Sequence, residues 1–144
     1  MTLAKALKKK NRLIQKISEL QQEVQRTNSG AEYEVDRKIS TIDSMVELEE
    51  RIEELIKLKL SLFIASTPMR ETILRLAELK SRVQFLRGID TTEGKEWTYG
   101  DREVEKHVAY DIIYVKEEVE KCEKSIDELQ EQLDKFNHAT EIEI

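Results

Sequence analysis

Proline occurs once and glycine four times in 144 residues. β-Sandwiches, barrels and doubly wound α/β domains need many turns, so this scarcity disfavours all three. Cysteine also occurs once. Cys122 has no partner for an intramolecular disulfide, which fits a reducing cytoplasm. With only His107 and His138 beside it, the chain has too few ligands for a zinc site. Neither histidine has a glutamate three residues before it, as a di-iron bundle requires. The richest apolar stretch, Leu58 to Ala65, is broken by Lys59 and Ser61, so no run of about 18 apolar residues exists to span a bilayer. The first ten residues carry lysines without an apolar core or cleavage site behind them, and no secretory signal is expected.

What the chain does contain is helix-forming. Ala, Glu, Lys, Leu and Arg supply 69 of the 144 residues, close to the composition of coiled coils and long helices. The breakers Gly30, Pro68, Gly88, Gly94 and Gly100 fall between periodic stretches. Glycine supplies a left-handed C-cap and proline favours a first turn, so these joints divide the chain into helices at about 2–27, 43–66, 68–87 and 101–137. Thr67 is the expected N-cap of the third, and a turn is expected there because the residue before proline avoids the α region. The fold class is therefore all-α: one domain, 1–144, an antiparallel helical bundle or coiled coil of about four helices with a long last one.

That last helix carries the strongest periodic signal. Val108, Ile112, Val115, Val119, Cys122, Ile126, Leu129, Leu133 and Phe136 alternate spacings of four and three without a miss. A 3.5-residue period held over four heptads is a coiled-coil seam. Nine apolar positions are more ridge than one short chain comfortably covers, so the seam is expected to carry both core and self-association. Two connectors are ambiguous. Residues 31–42 read as a short strand or a loop, and 89–100 as a loop with the aromatic pair Trp97 and Tyr99; pairing of the two as a β-hairpin is one possibility. Tyr110 and Tyr114, a turn apart, are read as an aromatic patch near Trp97 that seals a bundle end or makes an oligomer contact.

The formal net charge of −6 is unevenly spread. Residues 1–30 carry seven basic and two acidic side chains, residues 31–67 five and nine, residues 68–88 five and two, residues 89–100 one and three, and residues 101–144 six and fourteen. The helices thus alternate in sign, which favours neighbours of opposite charge in an antiparallel bundle. Each exposed pair is worth only about 0.2–1 kcal/mol, so the alternation selects partners more than it stabilises them.

Three patterns admit a sharper reading beside a plainer one. Lys5, Lys8, Lys9, Arg12 and Lys16 fall opposite the first helix's apolar stripe, a possible basic face for nucleic acid or an anionic membrane. The acidic net charge and the lack of interleaved aromatics disfavour nucleic acid, a membrane partner is not expected either, and a solvated face beside an acidic helix is the preferred reading. Glu49, Glu50, Glu53 and Glu54 form an EExxEE cluster and Glu131 with Asp134 an ExxD, as in the all-α nucleotide hydrolases that hold magnesium between facing helices. The spacing between the clusters is too long, so a metal-dependent nucleotide hydrolase stands only as an alternative. From Gly88 to Lys95 five residues separate the glycines, and Glu96 stands where a phosphate loop needs Ser or Thr. No catalytic residue, metal ligand or cofactor is nominated, and Cys122, on the seam, is read as a buried hydrophobe.

With the segments placed, the chain resembles the septicolysin-like family of small helical bacterial proteins. Met-Thr-Leu-Ala-Lys-Ala-Leu followed by Leu13 to Leu20 is similar to that family's first helix. Leu55-Ile56 leading to Ala65-Ser66-Thr67, then Thr67 to Leu86, is similar to its middle segments, and Phe136 to Ile142 to its tail. His138 departs from the family's usual Trp, and the loop before the third helix is shorter and lacks Asp-Gly. The resemblance implies a helical, oligomeric protein, and a cytolysin in name only. The expected function is a non-enzymatic, self-associating scaffold or protein-interaction protein.

Overall fold

The computed structural model describes residues 1–30, 35–98, 100 and 102–143, at positions 35, 36 and 98 for the backbone only. The described chain is mostly helical: α1 (Leu3–Thr27), α2 (Val35–Ala65), a 3-10 turn (Thr67–Met69), α3 (Arg70–Arg87), strands β1 (Gly94–Thr98) and β2 (Arg102–Lys106), and α4 (Ile112–Ala139). It divides into two compact units, one of Met1–Pro68 with Asp134–Ile144, the other of Met69–Leu133.

In the first unit α1 begins where the sequence places it, because the Thr2 hydroxyl accepts from the Lys5 N–H and caps the first turn. Its 3–4 spaced apolar face buries Leu3, Ala6 and Leu13 against Leu58 and Leu62 of α2, and Ile17 and Leu20 against Leu48. The order of those partners, with a Thr27–Thr41 hydroxyl contact of 2.6 Å at the far end, makes the pair antiparallel. Leu58 is 1 % exposed, and burying such a side chain contributes about 1.5–3 kcal/mol. The segment after α4 closes the same core. Leu3 N–H donates to Thr140 O at 2.8 Å, Thr2 bridges Glu141, and Ile142 is buried beside Leu3 and Ala6.

In the second unit α3 packs on α4 through Val83, Leu86, Val115 and Cys122. α4 starts at an Asp111 cap, whose carboxylate accepts from Tyr114 N–H at 2.8 Å. β1 and β2 form an antiparallel hairpin with Glu96 opposite Val104 and Trp97 opposite Glu103. Gly100, with φ +91, sits in its turn, a backbone conformation that a residue with a Cβ rarely adopts.

Several boundaries correct the sequence reading. The second helix starts eight residues before position 43. Residues 35–42 are helical, with the Thr41 hydroxyl bonded to Arg37 O one turn back, and residues 31–34 lie outside the described residues. The hairpin joins 94–98 to 102–106 rather than to the 31–42 connector, because a three-residue loop costs far less closure entropy than one of fifty or more. The last helix accordingly starts at Ile112 rather than about 101, and Val108 precedes it. Thr67 is not an N-cap: its hydroxyl donates back to Phe63 O, and α3 starts after Met69 with no side-chain cap. Gly88 does cap α3 but at φ −84, so no left-handed cap forms there.

Candidate functional site

The nine seam positions do not share one environment. Val115 and Cys122 are buried on α3; Val119 and Ile126 are half-buried against the same cluster. Leu129, Leu133 and Phe136 are half-buried, Val108 is half-buried ahead of the helix, and Ile112, at its first turn, is exposed. Along α2 the apolar residues divide between two faces. Leu48, Ile52, Leu55, Leu58 and Leu62 face α1. Ile39, Ile42, Val46, Ile56, Leu60 and Phe63 recur at heptad spacing on another face, each more than half exposed, with Glu49 and Glu53 at the two middle positions. Glu49 and Glu53 interrupt the outer face and hide its period in the sequence.

Of the charged candidates, Lys9 and Glu54 pair with each other. Lys9 Nζ lies 3.4 Å from Glu54 Oε1, and Arg51 reaches the other Glu54 oxygen at 2.8 Å. That hydrogen bond from Arg51, helped by Lys9, holds the Glu54 carboxyl below its usual range. Among the described residues no three His, Cys, Asp or Glu side chains group to hold a metal ion. Lys5, Lys8, Arg12 and Lys16 make no ion pair among the described residues. In the second unit Arg82 lies 4.0 Å from Glu118, and Arg87 pairs with Glu123. Both units thus join a basic helix to an acidic one.

Two features of the second unit went unread in the sequence. The hairpin exposes both of its faces. Trp97 is 70 % exposed, with Lys95, Glu103 and Glu105 on its face, and Lys106 pairs with Glu96 on the other. Between α3 and α4 lies an open groove of about 330 Å³. Leu86, Ile89, Ile112, Val115 and Val119 form its apolar lining, with Arg87, Lys116 and Glu120 among its charged residues. Tyr110 and Tyr114 stack at 4.7 Å between ring centres with 24° between planes, and both remain partly exposed.

No family model, curated protein or solved structure matches the chain. No described helix is long and apolar enough to cross a membrane.

Proposed function

We propose that the chain is a non-enzymatic, self-associating helical scaffold whose four helices assemble as an antiparallel bundle. The carrying observation is the outer face of α2, where six large apolar side chains at heptad spacing stand more than half exposed. Exposed apolar side chains grouped in this way, on either side of Glu49 and Glu53, mark an interaction surface. The half-covered seam of α4 from Leu129 to Phe136 supports the same reading. Kinship with the septicolysin-like family is part of this proposal and rests on the quoted segments alone. Light scattering tests the association: the wild-type chain is expected to exceed one chain mass, and Leu60→Ser with Phe63→Ser to lower it. Wild-type protein at one chain mass throughout contradicts the proposal.

A second reading is favoured by the row Lys5, Lys8, Arg12 and Lys16, which makes no ion pair among the described residues and suits a polyanionic surface. Salt-sensitive retention on DNA, lost on charge reversal at Lys8 and Arg12, supports it; retention unchanged by the reversal removes it.

A further inference from the structure

We infer that the hairpin of one copy docks its Trp97 into the α3–α4 groove of a second copy, reciprocally, so that two chains exchange hairpins about a twofold axis. The inference rests on the self-association reading and specifies a contact within it.

Three observations converge. The first is an unpartnered anchor. A two-stranded hairpin with both faces in water is only marginally stable alone, and this one holds the chain's single tryptophan 70 % exposed. Tryptophan is the side chain most enriched at the energetic centre of protein interfaces. The second is a receptor of matching size and polarity. The groove of about 330 Å³ has an apolar floor of Leu86, Ile89, Val115 and Val119, already built and open to solvent. The third is charge. Glu105 lies on Trp97's face of the hairpin and makes no ion pair among the described residues, because Lys95 pairs diagonally with Glu103 at 3.6 Å. On the groove Lys116 makes no ion pair among the described residues, Arg87 beside it is held by Glu123, and Glu120, one turn on from Lys116, lines the groove as well. An indole entering the groove brings the spare carboxylate of Glu105 to the spare ammonium of Lys116.

Each insertion buries about 150–250 Å² of aromatic surface, so two of them with their rims sit at the low end of specific interfaces. Association is therefore expected in the micromolar range. Because the arrangement is reciprocal, it closes at two chains through this contact rather than growing into fibres.

Trp97 is its own reporter. Tryptophan emission and sedimentation are measured on the full chain across micromolar concentrations, for the wild type, Trp97→Ala, Glu105→Lys, Lys116→Glu and the double reversal. All these positions are exposed, so the variants are expected to fold. In the wild type, emission shifts to shorter wavelength in step with mass. Trp97→Ala weakens association by roughly 30-fold or more. Each single reversal weakens it by roughly fivefold, and the double reversal restores it. Oligomers whose emission stays solvent-like overturn the hairpin exchange and leave self-association standing. Short-wavelength emission in the monomer means insertion into the chain's own groove and overturns it too. A monomer at every concentration overturns both.

Discussion

Lys9 of α1 and Glu54 of α2 stand 3.4 Å apart, a bond between the most basic helix and the acidic one beside it. With Arg51 on its other oxygen, Glu54 ionises more readily folded than unfolded. The stabilisation is complete above the ordinary carboxylate value of 4.5 and is lost as pH falls through the lower folded value. Both partners are about one-third exposed, so solvent screening holds the pair to about 0.5 kcal/mol. Urea midpoints are expected to fall for Glu54→Gln at pH 7 and to converge with wild type as pH falls below the lowered folded value. A constant gap at both pH values contradicts this origin.

The two faces of α2 differ in what they contribute to stability. Leu58→Ala opens a cavity in a filled core and is expected to cost about 3 kcal/mol. Leu60→Ala, two residues on and largely in water, is expected to stay within about 0.5 kcal/mol. Denaturant melts of the two variants at low protein concentration check the contrast; equal losses would mean that Leu60 is packed.

Cys122 belongs to the α3–α4 core and is 6 % exposed. Its thiol is expected to react with an aromatic disulfide reagent only after unfolding. Cys122→Ser, which buries a hydroxyl among Val83, Leu86 and Val115, is expected to cost about 1–3 kcal/mol. Immediate labelling of the native protein would contradict the packing.

Ile142 completes the α1–α2 core from the segment beyond α4. Ile142→Ala is expected to cost about 2 kcal/mol or more and to increase hydrogen exchange at the Leu3 amide, which donates to Thr140 O. Unchanged exchange there would mean that residues 140–142 do not hold the start of α1.

How far the sequence could be read follows from how local each determinant is. α1 was legible to within a residue, since its cap and its apolar period lie in one short stretch. The start of α4 was not. Val108 continues the heptad spacing one step back from Ile112, so the period alone does not mark where the helix begins. The hairpin wins because Gly100 permits the turn and the pairs Lys95–Glu103 and Lys106–Glu96 lock its two faces. Residues 35–42, rich in β-branched side chains, read as strand or loop. Thr41 instead bonds Thr27 across the pair and continues α2 as helix, a tertiary override of local propensity. The α3–α4 groove, formed by residues more than twenty positions apart, has no signature in a linear sequence.

Self-association is tested most directly by sedimentation equilibrium of the unmodified chain from about one to a hundred micromolar. A mass rising to at least twice the 16.9 kDa of one chain is the expected result. A constant mass of 16.9 kDa across that range would contradict it.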